Sequence, residues 1–260
     1  MSSATMRAST LVIARRSMVR FFRTPQLVVL GTVQGAIFLL VYRYVFGGAI
    51  DAGGIPYVDF LVPGFIATMV LFVGVGVAAG VAEDMREGFV DRLRSLPIPR
   101  SAVLSGRALA DVAQLVWGLG ITTALGFVVG FRFHGSAGAA LAAFALCVAY
   151  GVAFEWMFVA LGTLASNAQA AQGIGFLVFP LTFVSSAYVP VDSMPGWLQA
   201  FANHQPITVM VDAVRSLALG PQAGPLLAHD SGYYVARALL WTAGIIVVFA
   251  PLAVARFRRG

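Results

Sequence analysis

The sequence predicts an all-α polytopic membrane protein: six transmembrane helices, an N-terminal interfacial amphipathic helix, and both termini cytoplasmic. Three observations carry that reading. Only 11% of the 260 residues are charged and 59% are hydrophobic, whereas a soluble domain carries about 25% charged residues. Mean hydropathy is +0.86, so there is too little polar surface to wrap a water-soluble body of this size. The apolar residues also gather into six runs near the ~20 residues that a bilayer span requires. The whole chain, 1–260, reads as one transmembrane domain.

The first 24 residues scatter Arg7, Arg15, Arg16, Arg20 and Arg23 among apolar side chains. That is unlike a cleavable signal peptide, whose apolar stretch follows soon after a basic start. Residues 5–24 fit a helix lying in the headgroups, with Leu11, Ala14, Met18, Phe21 and Phe22 on one face and arginines toward anionic lipid. A basic tail acting only as a topology signal is the plainer alternative.

The six runs are 27–46, 58–80, 108–130, 138–163, 170–189 and 233–254. The second and third carry glycine pairs at four-residue spacing, Gly76 with Gly80 and Gly126 with Gly130, which permits close helix approach. The fourth contains Glu155 and the fifth contains Pro180. A short SNAQAA link makes the fourth and fifth an antiparallel hairpin.

Orientation follows from the arginines. All seventeen cations are arginine and they produce the net charge of +6. Thirteen fall in the N-terminal segment, in residues 83–107 and in the C-terminal tail, against four (Arg43, Arg132, Arg215 and Arg237) on the other side. The positive-inside rule then puts both termini and the 83–107 loop in the cytoplasm. A basic nucleic-acid binder would instead cluster its charge on a soluble face, so no nucleic-acid partner is expected.

The chain has no lysine, and a Walker-type phosphate loop requires one. The single cysteine, Cys147, excludes a disulfide framework. The three histidines have no ligand spacing, so no metal site is expected, and no catalytic arrangement is readable.

Residues 83–107 hold four carboxylates and five arginines within 25 residues. Met85 to Leu96 can form a helix with Glu87 and Asp91 one turn apart, stopped by Pro97 and Pro99. Such a helix suits a protein partner; a solvated loop enforcing topology is the alternative. Residues 190–232 are too polar to span and form an external helical segment. Within it, Met194, Trp197, Leu198 and Phe201 share a face, and Asp212 and Arg215 lie one turn apart.

Glu155 could face a substrate path, shuttle a proton or bind a cation, since an intramembrane carboxylate is costly and functional by default. It could equally reach headgroups, water or an arginine from the cytoplasmic part of its span. Gln34 could join helices or line a translocation path.

Two blocks resemble those of a known family. EDMREGFVDRLRSLPIPR at 83–100, followed by Gly106, Arg107 and Asp111, is one; PVDSMPGWLQ at 190–199 with NHQPITVMVDAVRSLALG at 203–220 is the other. Together they resemble type-2 ABC transporter permeases, especially the daunorubicin-resistance branch of drug exporters. His204 and Gln205 separate Asn203 from Pro206, a departure from the family's Asn-Pro-x-Thr motif.

The resemblance implies a non-enzymatic permease subunit in the bacterial plasma membrane, moving a hydrophobic small molecule outward. It makes the 83–107 loop a coupling helix docked on a separate ABC ATP-binding subunit, with Glu83, Arg86, Glu87, Asp91, Arg92 and Arg94 as contacts. ATP and magnesium would sit on that partner, and this chain would hold no cofactor. A second permease, a copy or a paralogue, completes the assembly within the lipid bilayer. It also implies short external or re-entrant helices over the exit within 190–232, where the residues alone equally allow a helix lying in the interface with Trp197 as anchor. A proton-coupled secondary transporter using Glu155 is the alternative function, and a membrane scaffold without transport is a third.

Overall fold

The computed structural model describes residues 25–86 and 100–259, and the described residues form helices joined by turns. The expected N-terminal helix at 5–24 lies outside them, as do Glu87, Asp91, Arg92 and Arg94. Helix α1 runs Pro25–Leu40 and passes into a π-helical turn, Val41–Phe46. Next come α2 (Tyr57–Arg86), α3 (Arg100–Val128) and α4 (Ala137–Leu164). Four short helices follow: α5 (Ala168–Phe176), α6 (Val178–Phe183), α7 (Gly196–Ala202) and α8 (Pro206–Leu219). Helix α9, Ser231–Arg259, closes the chain.

Among the described residues, α2, α4, α9 and the 110–128 part of α3 are long and apolar enough to cross a membrane. Two shorter apolar stretches accompany them, Thr32–Phe46 and Ala168–Phe183. Each sequence-predicted run contains helix, and the form differs from expectation in two places.

The fifth run is broken. Helix α5 stops at Phe176 and α6 contains Pro180. Proline lacks the N–H that would reach the carbonyl four residues back, and its ring collides with that carbonyl; here that residue is Phe176. The helix ends at Phe183 rather than near 189, and the chain turns through Val184–Val189 with Ser185, Ser186, Ala187 and Tyr188 buried. A small apolar cavity lies beside the break, between Leu71, Phe72 and Val75 of α2 and Gly175, Val178 and Phe179.

The second difference concerns the loop between the second and third runs. Helix α2 continues to Arg86 and α3 begins at Arg100, so the two helices extend beyond their apolar runs into the charged segment.

Helix α2 is the central element. It packs against α3, α4, α5 and α8, and twenty of its residues are buried, Tyr57–Thr68 among them. Close contact is set by glycine where a side chain would obstruct. A Cβ on Gly162 of α4 would lie 2.6 Å from the Ala78 carbonyl oxygen and 2.9 Å from the Val81 Cβ. Gly76, one of the pair singled out by spacing, faces open space instead. The helix starts are capped as their sequences suggest: the Ser136 hydroxyl accepts from Ala139 N–H at 3.1 Å, and the Asn167 side chain accepts from Ala170 N–H at 2.8 Å.

Candidate functional site

Helix α8 begins at Pro206, where the missing N–H costs nothing at a helix start, and ends before Gly220, whose φ is +55°. Its apolar residues run around most of its circumference. Ile207, Val209, Met210, Val211, Val214 and Leu219 are all buried, as expected for a helix surrounded by protein. It packs against α2, α4 and α9.

Helix α8 ends at the end of the bundle where α4 begins. The Ala218 carbonyl accepts from His134 and Gly135 N–H in the loop before α4, at 2.9 and 3.0 Å. At the other extremity of α8, the Asn203 carbonyl lies 3.5 Å from the guanidinium of Arg237. Arg237 is the seventh residue of α9, about 9 Å along the helix at 1.5 Å per residue. The α7–α8 hairpin thus sets its second arm among α2, α4 and α9. Sequence left a lid and an interface-lying helix open; α8 is buried by protein, while α7 keeps Trp197 77% and Phe201 49% exposed.

The tip of the hairpin is fastened to the broken fifth helix. The Gln205 amide donates to the carbonyls of Leu181 and Val184, each at 3.2 Å. These are acceptors that a helix end leaves without internal partners. The departure from Asn-Pro-x-Thr thus supplies a cap, because Gln205 is one of the two inserted residues.

The centre of the site is Arg215, 1% exposed. Its guanidinium donates to the Phe60 carbonyl from Nε (3.3 Å) and Nη2 (3.0 Å), and Nη2 also donates to the Ser186 carbonyl (2.7 Å). Nη1 donates to Asp212 Oδ1 at 3.1 Å and to the Ser186 hydroxyl at 3.4 Å, and that hydroxyl donates to the same Asp212 oxygen at 2.7 Å. The guanidinium also lies 3.9 Å from the Phe60 ring centroid, a cation–π contact that strengthens when desolvated. A buried cation is tolerated only when paired and fully hydrogen-bonded, and Arg215 meets both conditions. One side chain therefore ties together the start of α2, the turn after α6 and helix α8.

A ring of hydroxyls continues this junction. Tyr57 donates to the Tyr188 carbonyl at 2.9 Å, the Thr68 and Tyr188 hydroxyls are 3.1 Å apart, and the Tyr42 ring stacks on Tyr188 at 4.8 Å. Gly64 lets the turn approach, since a Cβ there would meet the Ala187 carbonyl. The π-helical turn brings Tyr42 to this cluster. π-Bulges are frequent at functional sites.

The sequence-predicted residues are distributed elsewhere. Glu83 and Arg86 close the last turn of α2 as an exposed ion pair at 2.9 Å, at the end opposite the Arg215 junction. Glu155 is half-buried on α4, nine residues from Leu164, and has an interaction partner. Gln34 is exposed on α1, while the next residue, Gly35, is buried, and a Cβ there would lie 3.8 Å from the Met69 sulfur. The structure brings none of these into the Arg215 junction. Arg215 and Asp212 were visible only as an i, i+3 pair; the apolar residues around most of α8 were the signal for burial.

Comparison with known proteins agrees with this architecture. Residues 8–219 match the ABC-2 type transporter family. The chain is 32% identical to the daunorubicin resistance ABC transporter permease protein of Streptomyces coeruleorubidus over 257 residues, covering 98% of this chain and 88% of that protein. It is 27% identical to a doxorubicin resistance ABC transporter permease protein of Mycobacterium tuberculosis, covering 96% and 91%. An inner membrane transport permease of Escherichia coli is 24% identical, covering 84% and 81%. With its all-helical, multi-pass architecture and a match over most of its length, the chain belongs to the ABC-2 type transporter family as a permease subunit.

Proposed function

We propose that this chain is the membrane subunit of an ATP-driven exporter that moves a hydrophobic or amphipathic compound out of a bacterial cell. Drug-like compounds are the first substrate class, because its relatives are named for daunorubicin and doxorubicin resistance; lipid-like compounds are the second. The single observation carrying the reading is similarity across nearly the whole chain to such permeases. ATP and magnesium act on a separate subunit, since this chain has no lysine for a phosphate loop. Two permeases and two ATPase subunits make the working assembly in the inner membrane.

In this reading the 83–107 segment is cytoplasmic and docks on the ATPase through Glu83, Arg86, Glu87, Asp91, Arg92 and Arg94. Mixed charges set register and partner choice more than raw affinity. The ends of α2 and α3 carry the motion into the bundle, and the Arg215 junction lies at the external exit. Gln34, exposed on α1, faces the second permease or the substrate path, and Glu155 borders that path.

Gentle solubilisation followed by capture of this chain tests the reading. A P-loop ATPase should co-purify with wild type and be lost from the Glu87→Arg/Asp91→Arg variant, with export abolished and membrane insertion intact. Normal export by that double variant would sink the docking assignment, and absence of any ATPase would overturn the exporter reading itself.

A further inference from the structure

Among the described residues, Arg237 is a cation without an ion-pair partner. Its contacts are weak and neutral: the Tyr233 hydroxyl at 3.4 Å, the Asn203 carbonyl at 3.5 Å, and the Tyr233 ring, 5.5 Å from the guanidinium carbon to the centroid. Among the described residues no carboxylate lies within ion-pair distance of it, and the nearby Asp212 is committed to Arg215 and Ser186. Arg215 and Arg237 therefore share the field of one carboxylate, which leaves an excess positive charge beside the hairpin tip.

The surroundings of Arg237 are apolar and open. Down the same side of α9 lie Tyr233, Leu240 and Trp241, exposed by 39%, 72% and 40%. Gly244 continues the line one turn lower, and a Cβ there would meet nothing within 4 Å. Below it Val247 and Val248 are exposed. Within a membrane-spanning helix this is a cation set above a shallow apolar trough. An ionised guanidinium on an apolar surface requires a counter-charge, and Arg pairs well with phosphate because its fork matches the oxygens.

We propose that Arg237 holds the phosphate of an anionic phospholipid in the leaflet where α9 begins, with an acyl chain lying in the trough at Gly244. Because Arg237 also reaches the Asn203 carbonyl, the bound headgroup sits against the tip of the α7–α8 hairpin. The inference rests on the chain being a membrane-spanning permease and not on which compound it exports.

The test uses the full chain, purified with whatever subunits accompany it, delipidated and titrated with phosphatidylglycerol while retained lipid is counted by mass spectrometry. One arginine near a membrane surface is worth about 1 kcal/mol toward anionic lipid, so Arg237→Gln should raise the half-saturating concentration about five-fold. Gly244→Phe, which fills the trough and leaves the cation in place, should also raise it. Arg132→Gln is the control: that guanidinium already donates to the Phe127 and Phe131 carbonyls at 2.9 and 2.7 Å, and its loss should leave the titration unchanged. Arg237→Lys, which keeps the charge and loses the fork, should fall between wild type and Arg237→Gln. Equal saturation of wild type, Arg237→Gln and Gly244→Phe overturns the proposal. So does an equal shift in Arg132→Gln, which would mean general surface charge. Neither result bears on ATPase co-purification, so failure here is distinct from failure of the exporter reading.

Discussion

At the scale of single residues, Arg215 carries the clearest energetic consequence. Removing one member of a buried ion pair leaves the other charge uncompensated and costs about 3–5 kcal/mol. Arg215→Leu should therefore lower the thermal midpoint of the purified protein markedly, while Arg215→Leu/Asp212→Leu should recover part of the loss. An unchanged melt in the single variant would contradict the geometry of the junction. The pair was legible in the sequence as an i, i+3 spacing, yet its burial was not. Two of Arg215's three acceptor residues, Phe60 and Ser186, lie far from it in sequence, and it reaches both through main-chain carbonyls, which have no side-chain signature. Gln205 was read as a departure from a motif and is a cap; its role depends on where Leu181 and Val184 end their helix, which spacing alone does not give.

At the scale of elements, the glycines separate pattern from contact. Gly162→Val should push α4 away from α2, because the Ala78 carbonyl oxygen is backbone and cannot yield. Overpacking of this kind costs about 1–3 kcal/mol. Gly76→Ala, into open space, should be neutral or slightly stabilising through helix propensity, by up to ~1 kcal/mol. Comparing the two variants by thermal unfolding in detergent checks the assignment, and equal destabilisation would refute it. Four-residue glycine spacing could not make this distinction, because it does not say which face meets a neighbour. The break in the fifth helix was closer to the surface of the sequence. Pro180 marks it, but the turn that follows is buried only because Gly64 and the Tyr57, Thr68 and Tyr188 hydroxyls receive it. The π-helical turn at Val41–Phe46 had no visible signal, since its residues suit an ordinary helix equally well.

At the scale of the whole molecule, hydropathy and arginine placement suffice for a multi-pass helical bundle, because the bilayer forces long apolar helices whatever their packing. The α7–α8 hairpin lies beyond that logic. Its helices are too short to span, and their position is decided by protein contacts. The two functional readings of Glu155 divide at this scale. In the ATP-driven reading, Glu155→Gln should leave export dependent on ATP and insensitive to a protonophore that spares cellular ATP. Export abolished by such a protonophore in wild type, with Glu155→Gln inactive, would favour proton coupling. The measurement is efflux of the exported compound from cells with and without the protonophore.

Helix α2 runs unbroken from the Phe60 carbonyl that receives Arg215 to the Arg86–Glu83 pair. Twenty-six residues separate the two ends, about 39 Å at 1.5 Å per residue. A rod of that length is a lever. A tilt of about 5° about one end would carry the other end about 3 Å, as far as a hydrogen bond is long. A push too small to disturb the exposed charges at Arg86 is thus large enough to part a guanidinium from a carbonyl at Phe60. The buried Arg215 junction and the exposed Glu83–Arg86 pair thus stand at the two ends of one helix.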